Sequence, residues 1–208
     1  MASEPVRDPV KDHLLTPQNA AFIIIDYQPV QVSTIKSMDQ RLLVNNIVVT
    51  AKAAVAYKLP VIHSTVNVKT GRNKPPIKPL RDVLGQYPVY DRTGINAWED
   101  VEFRQAVEAA GRKKLIMTAL WTEACLTFPA LDALKEGYEV YAVADAVGGT
   151  SKVAHKTALR RIEQAGVQLI SIPQLICELQ RDWARGKTVP AFVDLLVEVG
   201  AFPPNEKE

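Results

Sequence analysis

One cysteine lies where a thiol can take part in chemistry. Residues 114–121 are predominantly apolar and predict a buried strand, and residues 124–136 predict a helix that ends at Gly137. Cys125 therefore falls in the first helical turn, directly after a short polar segment. The unpaired N–H groups and the positive end of the helix dipole favour a thiolate there. We expect the pKa of Cys125 to lie below its ordinary value of about 8.5. A buried structural cysteine is the alternative.

A carboxyl group stands in a comparable position after the first predicted strand. Asp26 directly follows the continuous apolar run 20–25, which is typical of a strand buried on both faces. Apolar surroundings would raise the pKa of Asp26, which suits a residue that takes and returns a proton beside a thiol. Capping of the following turn is the alternative role.

Other candidate groups have weaker support. His63 lies in the predicted strand 59–66, where it could activate a cysteine, although a core or pocket-wall position is the favoured interpretation. Cys177 lies on the apolar stripe of a later helix and is predicted to be a core residue. The sequence has no Gly-x-Ser-x-Gly, no glycine-rich phosphate-binding motif and no metal-ligand spacing among its three histidines. We therefore expect neither a metal nor an organic cofactor.

Strand and helix patterns alternate along the chain and define the predicted fold. We predict strands at 20–25, 59–66, 114–121, 138–144 and 167–172, and helices at 38–57, 98–110, 124–136, 151–165 and 173–183. The long connection 67–95 must hide a short third strand. The pattern predicts an α/β, three-layer α/β/α Rossmann-like fold with a parallel sheet of about six strands in the order 3-2-1-4-5-6 and helices on both faces. Strands one and four are neighbours in that order, so Asp26 and Cys125 should meet.

Length and composition indicate one soluble domain. The 208 residues predict a single domain with its core at about 15–185, a helical extension at 186–208, and loose ends at 1–16 and 203–208. A net charge of +2 gives no reason to expect nucleic acid or a membrane surface as a partner, and no apolar run is long enough to span a bilayer. With two cysteines and no apolar leader, we expect a cytoplasmic protein with free thiols. The apolar helix at 189–199 suggests contacts between copies, so we expect a homo-oligomer.

Four stretches resemble the isochorismatase-like cysteine hydrolases, and within them the YcaC-like branch. They are residues 23–28 (IIIDYQ), 93–98 (TGINAW), 122–138 (TEACLTFPALDALKEGY) and 144–148 (ADAVG), and residues 177–183 (CELQRDW) add to the match. The resemblance covers about residues 15–185. It implies a Rossmann-like parallel sheet and a hydrolase that acts on a small-molecule substrate.

The resemblance also implies a three-residue site. The family's nucleophile falls on Cys125 and its acid on Asp26, and Arg92 takes the place where the family usually has lysine. Arginine stays protonated at any working pH, so it can hold a carboxylate but cannot transfer a proton. The backbone amides of Trp121 and Cys125 are expected to form an oxyanion hole, with a cis peptide bond between Leu120 and Trp121.

The expected activity is cleavage of a C–N bond in a small amide by the Cys125 thiolate, through a thioester. The substrate pocket is expected to include Gln28, His63, Asn96, Trp98 and Trp121, although Trp121 fits a plain core position equally well. Hydrolysis of a vinyl ether without a covalent intermediate is one alternative. Another is a non-catalytic, oligomeric binding or assembly protein, for which a thiol pKa near or above the ordinary value would argue. A flavodoxin-like or nicotinamide-binding protein is a weaker option, because the glycine fingerprint is missing.

Overall fold

A computed structural model describes residues 7–204 and shows a parallel sheet within them. Its strand order is β3-β2-β1-β4-β5-β6, which confirms the predicted topology. The strands are β1 (Ala20–Ile25), β2 (Val61–Val66), β3 (Val89–Arg92), β4 (Lys114–Ala119), β5 (Glu139–Val143) and β6 (Gln168–Ile170). The chain runs outward from β1 to β3, then returns to the other side of β1 and continues to β6. The strand order therefore reverses between β1 and β4, where such sheets bind ligands.

Helices cover both faces of the sheet. They are α1 (Pro29–Ser33), α2 (Gln40–Ala56), α3 (Lys78–Leu84), α4 (Val101–Ala109), α5 (Thr127–Lys135), α6 (Lys152–Ala165), α7 (Ile172–Gln180) and α8 (Val189–Glu198). Asp39, Asp100, Ser151 and Ser171 begin four of them, and each side chain accepts a hydrogen bond from a backbone N–H of the first turn. A single 3-10 turn (Ala97–Glu99) precedes α4, and a π-helical turn (Thr122–Leu126) precedes α5.

The sheet separates two apolar cores. Side chains alternate along β1, so that Phe22 and Ile24 face α2, α3, α7 and α8, whereas Ile23 and Ile25 face α4, α5 and α6. All four side chains are essentially inaccessible to solvent. This double burial explains why β1 is continuously apolar in sequence. It also fixes the position of Asp26, which directly follows the strand at the edge of the sheet.

The structure corrects several boundaries. The connection 67–95 contains α3 as well as the hidden strand β3, and the helix predicted at 98–110 is a 3-10 turn followed by α4. The prediction of a loose N-terminal end is wrong for residues 7–16, because Leu15 is fully buried and its N–H donates to the Glu178 carboxylate at 2.7 Å. Residues 1–6 and 205–208 lie outside the described residues.

Two predictions about late helices also need correction. The apolar residues Phe192, Leu195 and Leu196 of α8 are buried against α2 and α7 of the same chain. This face of α8 is therefore not available for contacts with a second copy. Cys177 is exposed on α7 and is not a core residue. Within residues 7–204, no helix combines the length and apolarity needed to cross a membrane.

Candidate active site

The ends of β1 and β4 bring two distant segments together. Ile25 pairs with Ala119, and the N–H of Leu120 donates to the carbonyl of Ile25 at 3.1 Å. Beyond this pair, Asp26 adopts a left-handed backbone conformation with φ of 63°, which aspartate tolerates better than most residues. Its N–H donates to the Ser64 carbonyl at 3.0 Å. The carboxyl group of Asp26 is thus positioned at the point where strand order reverses.

A buried ion pair joins Asp26 to Arg92, the last residue of β3. Arg92 donates from Nη1 to Oδ1 at 2.8 Å and from Nη2 to Oδ2 at 2.7 Å. Both side chains are at most 1% exposed. Arg92 also donates to Ser64 Oγ, to the Thr65 carbonyl and to the Ile95 carbonyl at 3.0, 3.1 and 3.0 Å. This bidentate geometry fixes the orientation of the carboxylate.

Cys125 completes the cluster from the π-helical turn. The residue is 9% exposed, and the Asp26 carboxylate and the Trp121 backbone N–H are close enough to its thiol to shift the pKa of Cys125 in opposite directions. The cysteine therefore has a proton acceptor and a backbone donor beside it. The structure brings together Asp26, Arg92 and Cys125, the three residues implied by the family resemblance.

Electrostatics in the cluster differ from the expectation based on the helix terminus. Burial, together with the charge of Asp26 and the hydrogen bond to it, raises the pKa of Cys125 to about 12. Burial also raises the pKa of Asp26, against the opposing effects of Arg92 and Cys125. The prediction of a lowered thiol pKa is therefore wrong, because desolvation and a neighbouring carboxylate outweigh the helix dipole. The resting thiol keeps its proton.

We expect Asp26→Asn to lower the pKa of Cys125 and speed its alkylation near neutral pH. The change removes the negative charge that raises this pKa and leaves the positive charge of Arg92, which lowers it. Iodoacetamide labelling of Cys125 across a pH series, read by peptide mass spectrometry, measures the shift. Labelling of the exposed Cys177 serves as the internal control and should not change. An unchanged or raised Cys125 pKa would contradict the assigned role of the carboxylate.

The Trp121 side chain has a packing role. Its Nε1 donates to Thr34 Oγ1 at 2.7 Å, and the half-buried ring packs against the core on the α2 side of the sheet. The peptide bond between Leu120 and Trp121 is cis, as the resemblance implied. The Trp121 backbone N–H lies near the sulfur and acts to lower the pKa of Cys125. The roles of the Trp121 and Cys125 N–H groups in an oxyanion hole stay predictions.

Two predicted pocket residues instead hold loops in place. Gln28 is fully buried, donates to the carbonyls of Val66 and Lys74 at 3.1 and 2.6 Å, and accepts from the Val66 N–H at 3.0 Å. Asn96 accepts from the Trp98 N–H at 3.1 Å and donates to Asp132 at 2.7 Å, so it links the 3-10 turn to α5. Their polar atoms are used within the chain.

The other two predicted pocket residues lie elsewhere. Trp98 packs edge-on against Phe103 and Tyr138 in the core, with ring centroids 6.3 and 5.6 Å away. His63 is buried on the opposite face of β2 from Ser64, in a separate cavity. Neither side chain belongs to the Asp26–Cys125 cluster, and their assignment to the substrate pocket stays a prediction.

The sequence interpretation missed two groups that support the cluster. Ser64 and Thr65 hold the Arg92 guanidinium, and strand alternation could have placed Ser64 on the Arg92 face. Glu123 accepts from the Thr150 N–H and Oγ1 at 2.9 and 2.6 Å, which ties the cysteine turn to the loop before α6. No local pattern in the sequence signals this second contact.

Gly149 is expected to tolerate no side chain in that loop. A Cβ at this position would lie 2.6 Å from Glu123 Oε2 and 2.9 Å from His155 Cβ, closer than real contacts allow. We expect Gly149→Ala to displace the cysteine turn and lower kcat/KM by about tenfold or more, since small misplacements of reacting groups are costly. Steady-state kinetics check this. Gly186→Ala, where nothing lies within 4 Å, is the matched control and should leave activity unchanged.

Elsewhere in the described part of the chain, we find no better candidate for the active site. Across residues 7–204, no group of three or more His, Cys, Asp or Glu side chains is arranged to hold a metal ion. A cavity of about 1050 Å³ lies between the N-terminal segment, α7 and the loop 181–188. Its lining contains charged residues but no cysteine, so we locate the chemistry at the buried cluster.

Comparisons with known proteins identify relatives of this chain and of its fold. A family model described as the isochorismatase domain matches residues 20–174. The chain is 36% identical over 170 residues to the probable hydrolase YcaC of Escherichia coli K12, and the alignment covers 81% of each chain. The solved octameric YcaC hydrolase of E. coli, described as of unknown specificity, matches with a TM-score of 0.79 and 31% identity over 96% of this chain and 99% of that one. YcaC from Pseudomonas aeruginosa, solved with hexane-2,5-diol and covalent acrylamide, matches with a TM-score of 0.79 and 33% identity over 90% and 98%.

Proposed function

The chain belongs to the isochorismatase family, within a superfamily of hydrolases, and from this membership we propose that it cleaves the C–N bond of a small amide through Cys125. The observation that carries the proposal is the buried cluster in which Asp26 accepts two hydrogen bonds from Arg92 and lies beside the Cys125 thiol. A thiol, a carboxylate base and a fixed cation in contact form the arrangement that activates a nucleophile.

In the first half-reaction, the sulfur attacks the amide carbonyl carbon while the thiol proton passes to Asp26. A C–S bond forms, and the carbonyl π electrons move to the oxygen, where the Trp121 and Cys125 N–H groups are proposed to stabilise the negative charge. The raised pKa of Asp26 allows it to hold the proton briefly. When the intermediate collapses, Asp26 gives this proton to the nitrogen and the C–N bond breaks. The amine or ammonia departs, and the acyl group remains on Cys125 as a thioester.

In the second half-reaction, water replaces the amine. Asp26 takes a proton from water as its oxygen attacks the thioester carbonyl, and the new intermediate collapses with cleavage of the C–S bond. The proton on Asp26 returns to the sulfur, and the carboxylic acid product leaves. Asp26 therefore acts as base and acid in both halves, which is consistent with its contact with the thiol.

Arg92 orients the base and takes no part in proton transfer. Its pKa is raised further by Asp26, so the guanidinium stays charged throughout. The two parallel hydrogen bonds keep both carboxylate oxygens in one plane beside the sulfur. A lysine, the usual residue of the family, would offer a single point charge at this position. The arginine therefore gives this chain a more rigid base.

A covalent route is supported by one relative. The P. aeruginosa YcaC structure contains covalent acrylamide, an electrophile that soft nucleophiles such as thiolates attack. Transfer of this reactivity to the present chain is part of the proposal. Hydrolysis of a vinyl ether, the alternative within the family resemblance, would leave no acyl group on the cysteine.

Trapping of the acyl-enzyme tests the proposal. The enzyme is incubated with a panel of small primary amides and quenched in acid, and Cys125 and Cys177 peptides are compared by mass spectrometry. We expect an acyl group on Cys125 only, together with release of ammonia. Ammonia release without any Cys125 adduct, even after rapid quenching, would contradict the thioester step. Release of a carbonyl compound from vinyl ethers alone would favour the alternative reaction.

A non-catalytic binding or assembly protein is the second candidate function. The observation that favours it is the raised thiol pKa, because a protonated thiol is a weak nucleophile. The contact with Asp26 favours catalysis instead, since the base can remove the proton during attack. Absence of both turnover and acylation across the amide panel would decide for the second candidate.

We also propose that the protein assembles as a homo-oligomer and resides in the cytoplasm. The E. coli relative is described as octameric. Several large apolar side chains are exposed on this chain and could be covered by further copies, namely Val30, Leu42, Ile95, Val101 and Val153. Both cysteines are free, which fits a reducing compartment. Light scattering of the purified protein measures its oligomeric state directly.

A further inference from the structure

A second cavity lies on the face of the sheet opposite to Cys125. Its volume is about 390 Å³, and it is enclosed by β2, β3, α3 and the preceding loop. Strand alternation separates it from the catalytic cluster, because His63 and Thr65 face this side, whereas Ser64 faces Arg92. The volume falls within the range of small-molecule sites. No residue of the Asp26–Arg92–Cys125 cluster lines it.

His63 is a polar group in this cavity that has no partner. Its residue is 1% exposed, and neither ring nitrogen has a hydrogen-bond partner among residues 7–204. Two of the other polar side chains in the lining are already engaged with each other, since Thr65 Oγ1 donates to Asp91 at 2.9 Å. Asp91 also accepts from the N–H groups of Val68 and Lys69 at 3.0 and 2.8 Å. A buried imidazole without hydrogen-bond partners destabilises the folded protein, so a ligand that hydrogen-bonds to it would gain binding free energy.

The cavity surface is mainly apolar and suits a ring. Pro75, Pro76, Leu84 and Tyr87 contribute to it, and the charged residues Lys69, Arg81 and Asp91 also line the cavity. Burial lowers the pKa of His63 to about 4, so the imidazole is neutral and offers one donor and one acceptor nitrogen. A hydroxyl group matches this pair, because it can donate to the bare nitrogen or accept from the protonated one.

We propose that this cavity is a binding site for a small phenol, with the hydroxyl group hydrogen-bonded to His63 and the ring between Pro76, Leu84 and Tyr87. The site is independent of the proposed amide hydrolysis and lies on the other face of the sheet. Ligands of this class would therefore bind without competing with the substrate.

Titration with phenol, followed by NMR of the imidazole protons, tests the site. The sequence has three histidines, so His63→Leu assigns the His63 signals by their loss. We expect phenol to shift the His63 signals and to leave those of His13 in place. Toluene, which lacks the hydroxyl group, should bind about tenfold more weakly than phenol, and His63→Leu should abolish that preference.

Two further variants keep the test decisive. Cys125→Ala should bind phenol with unchanged affinity, which separates the cavity from the catalytic cluster. Leu84→Phe, which reduces the cavity while His63 remains, should weaken phenol binding even if His63→Leu does not fold. The proposal is overturned if phenol leaves the His63 signals unshifted at its solubility limit. It is also overturned if toluene binds as well as phenol, or if Cys125→Ala abolishes binding.

Discussion

Cys125→Ala is expected to lower kcat/KM for small amides by roughly 10⁴-fold or more, to the level that binding and oxyanion donors alone can sustain. Alanine removes the only atom that can form the thioester, and the remaining cluster offers no other nucleophile, since Asp26 is held by two hydrogen bonds from Arg92. Ammonia release under saturating amide measures the loss. Because the side chain is small and buried, the variant should fold normally.

The second cysteine supplies the control for this experiment. Cys177 is exposed on α7, so Cys177→Ala removes a thiol of the same chain without touching the cluster, and it should leave kcat/KM unchanged. Cys125→Ser keeps an oxygen nucleophile of higher pKa and should retain at most a trace of activity. Full turnover by Cys125→Ala would disprove covalent catalysis by this residue.

Arg92→Met is expected to lower the free energy of unfolding by about 3–5 kcal/mol, the usual cost of removing one partner from a buried ion pair. The carboxylate of Asp26 is 0% exposed and would be left with no cation beside it. Ser64 Oγ and two backbone carbonyls would also lose their donor. Urea denaturation of the variant and the wild type, fitted to midpoints and slopes, measures the difference.

The loss should depend on pH in a defined direction. Without Arg92, the pKa of buried Asp26 rises further above its unfolded value, so the folded state must take up a proton that the unfolded state releases. Below the unfolded pKa of about 3.9, both states are protonated and this penalty is absent. Because burial already raises the pKa of Asp26 in the folded wild type, the loss relative to the wild type grows as pH rises from that pKa towards the still higher pKa of the folded variant. A loss that shrinks between about pH 5 and pH 8 would contradict this account.

An exposed arginine provides the matched control. Arg104 forms ion pairs with Glu108 and Glu136 at 3.4 and 3.1 Å, but its side chain is 41% exposed. Arg104→Met should cost less than about 1 kcal/mol, because surface pairs are screened by solvent. Equal losses for the two variants would show that the Arg92 pair contributes no special stability. Arg92→Lys keeps the positive charge but not the two parallel hydrogen bonds of the guanidinium. Its loss of unfolding free energy should therefore lie between those of Arg92→Met and Arg104→Met.

The sheet could be predicted because the apolar runs of its inner strands are recognisable in the sequence. β1 is continuously apolar and β4 is predominantly so, and their double burial in the structure explains this pattern. The edge strand β3 could not be located, because its four residues Val-Tyr-Asp-Arg lie between loops and only one of them is buried. The existence of a third strand followed from topology, whereas its position required the structure.

The candidate site could be predicted to the level of residue identity but not of environment. Asp26 and Cys125 followed from strand ends, yet the thiol pKa was predicted in the wrong direction because the helix terminus was considered without the carboxylate beside it. Gln28 and Trp98 lie in stretches that resemble the family, but a sequence stretch does not specify which way a side chain points. Their contacts with the Val66 backbone and with Phe103 depend on the tertiary fold.

The position of Arg92 on β3 links activity to an edge of the sheet. β3 is an edge strand of four residues that pairs on one side only, with β2. Edge segments open by local fluctuations at lower free energy than inner strands, which hydrogen exchange detects as early loss of protection. Each opening would withdraw the guanidinium from Asp26 while β1 and β4 stay intact. On warming, inactivation should therefore precede global unfolding.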